Sequence, residues 1–267
     1  MAISIKILQT GSIRIRPSHR HQPANKAVLL RRLSVLLDTS WTDPLPINTY
    51  LIDHPEGPIL FDSGESPHSM EPGYFPLWMP FFHLAVDIDV GKDEGIGSRL
   101  EQDNLTPAPV WITEEHWQAY KTPFHATMEG AVPNQWSASF KPFILQPTGG
   151  PIGPWNQSYP ITGDGKVVAV DTPGHVPGYL SVIVRADDVS YLLLGDATYD
   201  QELLDQELTD GVNSNPALAV DSLRKIKEFA RSENVVLLPA HDPQAAHRLT
   251  EKVIYRPTSL SSNHYLL

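Results

Sequence analysis

The sequence contains no cysteine among its 267 residues. Disulfide bonds, thiolate metal ligands and a cysteine nucleophile are therefore excluded. It also lacks any apolar run near the roughly 18 residues that a membrane-spanning helix needs, and it contains no repeat or low-complexity segment. Its N-terminus has neither the apolar core nor the small-residue cleavage site of a signal peptide. We therefore expect a cytoplasmic protein with no membrane partner.

Positive charge is scarce outside the N-terminal segment. Asp and Glu total 31 against 20 Lys and Arg, so the net charge is −11. Residues 1–40 nevertheless carry seven Lys or Arg and one acid, which we interpret as the solvated face of two or three strands. Because the acidic remainder would repel a phosphate backbone, no nucleic-acid partner is expected. The 41% hydrophobic content suits one core, so residues 1–267 are predicted to form a single domain.

Proline is abundant, at 25 residues, which favours many short elements joined by ordered loops. A helix is predicted at Pro216–Arg231, with Asn215 as its cap, and a second helix begins at Thr113. Strands followed by a terminal strand–helix–strand unit indicate a mixed α/β fold. The predicted strands are Ile3–Leu8, Val28–Leu37, Asn48–Asp53, Pro58–Phe61, Pro109–Thr113, Lys166–Asp171, Tyr179–Arg185, Ser190–Leu194 and Val235–Pro239.

Three segments place metal-binding residue types at the ends of predicted strands. His175 lies in a turn framed by proline and glycine, Asp196 follows an apolar strand with Tyr199 one turn on, and His241 follows another apolar strand. Two imidazoles and a carboxylate are a suitable ligand set for a divalent metal. Each residue alone has an ordinary structural explanation, whereas the three together indicate a site.

Together these segments resemble the metallo-β-lactamase superfamily, and within it the lactonases that open N-acyl homoserine lactones. Residues 48–64 match the family's early strand pair, and the spacing from His175 to Asp196 to His241 also suits the family. The resemblance implies an αβ/βα four-layer sandwich with a two-metal site at the strand ends. It further implies that Asp196 bridges the metals, that the two histidines are ligands, and that Tyr199 assists lactone opening.

The sequence departs from this family at its diagnostic motif, His-x-His-x-Asp-His. Residues 95–108 run directly into 109–115, which resemble the strand and helix start that normally follow the motif. A strand, a turn and a helix start, on the order of 20 residues, are therefore expected to be missing, and the first half of the sandwich to be shortened. The only His-x-His pair in the sequence is His19–His21, and no Asp-His follows it.

The loss of this motif removes four expected ligands and leaves His175, Asp196 and His241. In the family these three are divided between two metals, so we expect a vestigial or weak metal site. The expected cofactor is accordingly none, or at most one weakly held zinc ion. A neighbouring segment or a second copy of the chain would have to fill the gap, which leaves a homodimer open.

Three functions are compatible with such a site. The preferred hypothesis is a metal-independent cyclase, lyase or isomerase acting on an apolar small molecule, in a setting such as the biosynthesis of specialised metabolites. Its expected catalytic residues are Asp196, Tyr199, His175 and His241. The alternatives are a one-metal lactone or ester hydrolase and a non-catalytic binding protein. Aromatic residues in the long loops are predicted to contact the substrate, namely Trp78, Phe81, Phe82, Trp136 and Trp155.

Overall fold

The computed structural model describes residues 3–106, 109–128, 131–132, 140–186 and 189–257. Most predicted strands are present, some with shifted ends. The strands are β1 (Ser4–Ile15), β2 (Leu45–Asp53), β3 (Ile59–Phe61), β4 (Val86–Asp89), β5 (Trp111–Ile112), β6 (Phe143–Ile144), β7 (Tyr159–Pro160), β8 (Val167–Asp171), β9 (Leu180–Arg185), β10 (Ser190–Gly195) and β11 (Val235–Pro239).

The helices are short except for the one predicted near the C-terminus. Thr113 caps the predicted second helix by accepting a hydrogen bond from the backbone N–H of His116. The helices are α1 (Pro17–Arg20), α2 (Val28–Leu37), α3 (Pro80–Leu84), α4 (Ile96–Gln102), α5 (Glu114–Tyr120), α6 (Pro123–Met128), α7 (Gln201–Gln206), α8 (Pro216–Ser232) and α9 (Ala245–Glu251), and Pro67–Met70 form one 3₁₀ turn.

Two sheets form the body of the protein. The first has the order β3-β2-β1-β4, with antiparallel pairs throughout, and the second has the order β11-β10-β9-β8-β7. In the second sheet β10 and β11 are parallel, and their connection contains the short helix α7 and the long helix α8, in agreement with the predicted strand–helix–strand unit. Strands β5 and β6 pair with each other in a separate two-stranded sheet.

The two sheets pack face to face around one apolar core. Tyr50 and Ile52 of β2 meet Leu193 of β10 and Leu238 of β11 in this core. The opposite face of the second sheet packs against α8, where Phe229 is almost fully buried. Strands β10 and β11 are therefore covered on both faces, which explains why they are continuous apolar runs without alternation.

The described helices include none that is long and apolar enough to cross a membrane. The expected cytoplasmic location, the absence of a nucleic-acid partner and the homodimer remain predictions.

The predicted strand at Val28–Leu37 is wrong, because this segment is helix α2. Its apolar residues do not alternate along the chain. Burial follows helical spacing instead, because Arg31 and Val35, four residues apart, are the two buried side chains of the helix. Exposed leucines cover the other side, which made the run look uniformly apolar.

The interpretation of the basic residues 1–40 as the solvated face of two or three strands is also wrong, because only β1 lies in this segment and two helices follow it. After β1 the chain leaves the sheet, and residues 16–38, which we call the N-terminal arm, fold into α1 and α2. The arm lies against the loop that follows α7, where Gln22 forms a β-bridge with Thr209. Gly211 N–H also donates to the carbonyl of His19 at 2.7 Å. The arm is therefore attached to the second half of the protein.

Arg31 holds the arm in place from inside the protein. Its side chain is fully buried, and its guanidinium donates to the carbonyls of Gln22 and Pro23 on the arm at 3.2 and 2.6 Å. Across the interface it donates to the Thr209 hydroxyl at 3.0 Å and to the carbonyl of Asp210. A planar group with five donors is well suited to joining four acceptors in this way.

We expect Arg31→Ala to lower the free energy of unfolding by about 3 kcal/mol, because four buried acceptors lose their donor and a cavity remains. Urea denaturation followed by circular dichroism measures this loss. Leu29→Ala on the same helix is the matched control, since Leu29 is 69% exposed, and it should change stability by less than about 0.5 kcal/mol. Equal losses in the two variants would contradict the anchoring role of Arg31.

Candidate functional site

The three predicted site residues His175, Asp196 and His241 meet at one edge of the second sheet. They follow β8, β10 and β11, which run in the same direction and therefore end at the same edge. Ala240 N–H donates to the carbonyl of Gly195 at 3.1 Å, and this bond joins the ends of β10 and β11. The side chains of the three residues keep between 15% and 25% of their surface exposed, so a ligand can reach them.

Asp196 lies between the two imidazoles. Its Oδ1 is 3.0 Å from His241 Nε2, and its Oδ2 is 3.7 Å from His175 Nε2. Each carboxylate oxygen thus faces a different histidine. A carboxylate in this arrangement can bridge two metal positions, one beside each histidine.

In each histidine an acceptor binds Nδ1, the ring nitrogen that does not face Asp196. His175 Nδ1 lies 3.0 Å from Asp210 Oδ2, and His241 Nδ1 lies 2.8 Å from the carbonyl oxygen of Pro46. Histidines that bind metals typically donate their second ring N–H to a carboxylate or a backbone carbonyl. Both rings are therefore oriented with Nε2 towards Asp196, as metal ligands would be.

Two glycines with positive φ shape the loops that carry these residues. A Cβ on Gly174 (φ +140°) would lie 2.4 Å from the backbone of Ala219, so the turn before His175 packs directly on α8. A Cβ on Gly195 (φ +52°) would lie 2.1 Å from the Tyr179 hydroxyl. That hydroxyl accepts a 2.6 Å hydrogen bond from Asp196 N–H, which fixes the carboxylate at the end of β10.

The cluster forms an ion-pair network. Burial disfavours the charge on His175, but Asp210 and Asp196 outweigh it and raise its pKa to about 9. Burial likewise opposes a charge on His241, whose pKa Asp196 raises. Asp196 is also desolvated, yet His241 and His175 lower its pKa to about 2. The carboxylate is therefore ionised, and a metal ion binding here would displace the protons of the two imidazoles.

Asp62, Asp210 and His19 belong to this site and were not predicted. Asp62 follows β3, and its Oδ1 accepts from the N–H groups of Ser63 and Gly64 at 2.7 and 2.9 Å. Desolvation of the carboxylate and the negative charge of Asp196 raise the pKa of Asp62, although part of the residue faces solvent. The sequence did hold a signal for Asp62, because Asp-Ser-Gly at a strand end resembles Gly-Asp at the end of β10.

Tyr199 lies where the rings converge. Its ring is 5.1 Å from that of His241 and 6.2 Å from that of His175, measured between centroids, and both contacts are edge-on. Its hydroxyl lies 3.2 Å from Nε2 of His19 on the N-terminal arm. Burial, Asp210 and Asp196 raise the pKa of Tyr199 well above its usual value, so the phenol keeps its proton at neutral pH.

The predicted aromatic residues occupy different environments. Phe81 packs on His19 at 5.2 Å between centroids, so it borders the site, whereas Phe82 stacks on Phe75. Trp78 is 63% exposed. Trp155 is 3% exposed and donates to the carbonyl of Asp171, so it is placed as a core residue. Trp136 lies outside the described residues.

A second cluster of metal-ligand types lies away from these strand ends. His54, Glu56 and Asp164 offer ligand atoms within 4.8 Å of one another, a criterion that selects no other group in the described part of the chain. Here His54 Nδ1 accepts from Glu56 N–H, which leaves Nε2 as the donor to Asp164 at 3.2 Å. Glu56 in turn accepts from Gly163 N–H at 2.9 Å. Because its polar groups pair with one another, the cluster joins β2 to the loop before β8 without a metal.

The site between the histidines has the residues that a divalent metal needs. Oδ1 of Asp196 is buried and accepts no hydrogen bond of good geometry, although His241 Nε2 is only 3.0 Å away. Two imidazoles and a carboxylate fit zinc chemistry. Because the two imidazoles approach different oxygens of Asp196, a single ion could not lie at an ideal bonding distance from all three side chains. The set therefore fits a weakly held ion better than a closed structural site.

Comparison with known proteins finds no matching family model. The chain is 24% identical over 231 residues to the N-acyl homoserine lactonase AttM of Rhizobium radiobacter, covering 75% of this chain and 83% of that protein. Among solved structures, it matches an N-acyl homoserine lactone hydrolase with N-hexanoyl-L-homoserine bound at its catalytic metal centre (TM-score 0.67, 19% identity, 96% of this chain and 98% of that one). It also matches AidC, a dizinc quorum-quenching lactonase (TM-score 0.56, 14% identity, 90% and 88%).

These comparisons confirm the metallo-β-lactamase-like fold and the resemblance to N-acyl homoserine lactonases that the strand-end segments predicted. They contradict the preferred hypothesis of a metal-independent cyclase, lyase or isomerase, because the relatives are named as lactone hydrolases and the structural neighbours carry a metal centre. That hypothesis gave the expected loss of the motif more weight than the presence of His175, Asp196 and His241. The alternative hypothesis, a hydrolase, agrees better with these findings.

Proposed function

We propose that this protein is a hydrolase that opens a lactone or cleaves a related ester, using one weakly held zinc ion at His175, Asp196 and His241. The observation that carries the proposal is the position of the Asp196 carboxylate between two imidazoles that each present Nε2. The named lactonases among its relatives support the same reaction class.

A zinc ion in such a site lowers the pKa of bound water and polarises a carbonyl oxygen. The residues of this chain set the conditions for that chemistry. Asp210 and the carbonyl of Pro46 hold the two imidazoles with Nε2 directed inward. Asp62 adds a further carboxylate within electrostatic range of Asp196 and His241.

Tyr199 is the proton donor of the proposed reaction. Its phenol stays protonated because burial and two carboxylates disfavour the phenolate. A neutral O–H beside the two imidazoles can donate to the carbonyl or to the leaving oxygen of the ring, where negative charge develops. Half-buried Phe81 forms an apolar border to this region, which suits an acyl chain.

The test is a hydrolysis assay on the purified full chain with N-hexanoyl- and N-decanoyl-homoserine lactone, followed by acid release in weak buffer. We expect turnover when zinc is supplied, loss of turnover after chelation, and recovery when zinc is added back. His247→Ala is the control variant, since His247 is exposed on α9, and it should retain full activity. Turnover that survives complete chelation, or no turnover of any lactone or simple ester with zinc present, would contradict the proposal.

A further inference from the structure

His19 reaches the site from the N-terminal arm, far from the other site residues in the sequence. Its carbonyl accepts from Gly211 N–H at 2.7 Å. The next residue, Arg20, pairs with Asp200 at 2.6 Å and with Glu202 at 2.8 Å. Together with the anchor at Arg31, these contacts fix the backbone of the arm beside Tyr199.

The ring of His19 is enclosed. The residue is 6% exposed, and its ring packs between Phe81 and Tyr199, with centroids at 5.2 and 6.0 Å. Nε2 lies 3.2 Å from the Tyr199 hydroxyl, whereas Nδ1 is buried and has no hydrogen-bond partner. Burial lowers the pKa of His19 to about 4, so the ring is neutral at physiological pH.

A neutral imidazole carries one proton, and the surroundings decide which nitrogen holds it. If Nδ1 held the proton, a donor would be buried without an acceptor, while the Tyr199 proton would be used in the bond to Nε2. If Nε2 holds it, only an acceptor is left unpaired, which occurs more readily in proteins than an unpaired buried N–H. The second arrangement also leaves the phenolic proton unused.

We infer that His19 is a positioning residue, which donates its Nε2–H to the Tyr199 oxygen and thereby directs the phenolic proton towards the substrate. A bond accepted by the phenolic oxygen restricts rotation of the ring and of the hydroxyl. It also makes the O–H a stronger donor, because hydrogen bonds polarise one another. The catalytic use of this proton rests on the proposed hydrolase function, whereas the hydrogen bond itself does not.

The bond is tested directly by nitrogen NMR of ¹⁵N-histidine-labelled protein near pH 7.5. Loss of one ring pattern in His19→Gln assigns the signals of His19. We expect the pattern of a neutral ring protonated at Nε2, with and without zinc. A ring protonated at Nδ1, or a mixture of tautomers, would overturn the inference, whether or not the protein hydrolyses lactones.

The catalytic consequence is tested by a matched pair of substitutions. Glutamine places an N–H donor near the position of Nε2, whereas asparagine places one near Nδ1, away from Tyr199. We expect His19→Asn to lower kcat about tenfold with KM nearly unchanged, and His19→Gln to stay within about threefold of the native enzyme. Zinc stoichiometry should be unchanged in both variants, since the inferred role is not that of a ligand.

Two controls separate this role from loosening of the arm. In a Tyr199→Phe background, His19→Asn should have no further effect, because the hydroxyl that it positions is gone. His21→Asn, two residues along the same arm, should retain full activity. An equal loss in His21→Asn, or a further loss in the Tyr199→Phe background, would overturn the inference. Native turnover unaffected by His19→Asn would do the same while leaving the proposed hydrolase function intact.

Discussion

Replacing Asp196 with asparagine is expected to lower kcat/KM for lactone hydrolysis by at least about a thousandfold and to abolish zinc binding. Oδ1 of Asp196 lies 3.0 Å from His241 Nε2, and Oδ2 lies 3.7 Å from His175 Nε2. Asparagine keeps the shape and the backbone bond to Tyr179 but removes the charge that attracts the cation. Loss of metal-based charge stabilisation costs several kcal/mol, and each 1.4 kcal/mol corresponds to about a factor of ten in rate.

Equilibrium dialysis with zinc and steady-state kinetics measure these two effects. The matched control is Asp164→Asn, which alters the other cluster of ligand types, where Asp164 contacts His54. It should leave zinc stoichiometry and turnover unchanged. If Asp164→Asn removed the zinc and Asp196→Asn kept it, the metal would be bound at His54, Glu56 and Asp164, and the proposed site would be contradicted.

Replacing Asp210 with asparagine is expected to weaken zinc affinity by about ten- to a hundredfold, although Asp210 is not placed as a ligand. Asp210 Oδ2 holds Nδ1 of His175 at 3.0 Å, and its Oδ1 accepts from Val212 N–H at 2.9 Å. Its charge keeps the imidazole in the orientation that presents Nε2 to Asp196. A neutral amide at this position holds the ring less firmly and makes Nε2 a weaker ligand.

Competition with a zinc-chelating dye measures the affinity of this variant. Asp221→Asn is the control of equal charge change, since Asp221 lies on the outer surface of α8 and pairs there with Lys225. We expect the affinity of the control to stay within about twofold of the native value, because exposed ion pairs contribute little. Equal weakening in the two variants would mean that net charge, rather than the hold on His175, determines zinc affinity.

Much of the second half of this fold could be predicted from the sequence. Buried parallel strands are continuous apolar runs, so the residue after each run marks an edge where side chains meet. Asp196 and His241 were found in this way and His175 in the turn framed by proline and glycine after β8, and the structure brings the three together. Tyr199 followed from the resemblance to the N-acyl homoserine lactonases.

The rest depends on contacts between distant parts of the chain. His19 lies on a four-residue helix, and nothing near it in the sequence shows that Arg31 fixes the arm against residues 209–211. Asp210 resembles an ordinary turn residue until its distance to His175 is known. Helix α2 was mistaken for a strand because its leucines lie on the solvent side as well as towards the protein.

The most direct test of the central claim is an anomalous difference map at the zinc absorption edge, from crystals of the full chain grown with zinc. The account predicts a peak beside the Asp196 carboxylate, next to the imidazoles of His175 and His241. No peak at these residues at millimolar zinc, or a peak only at His54, Glu56 and Asp164, would contradict it.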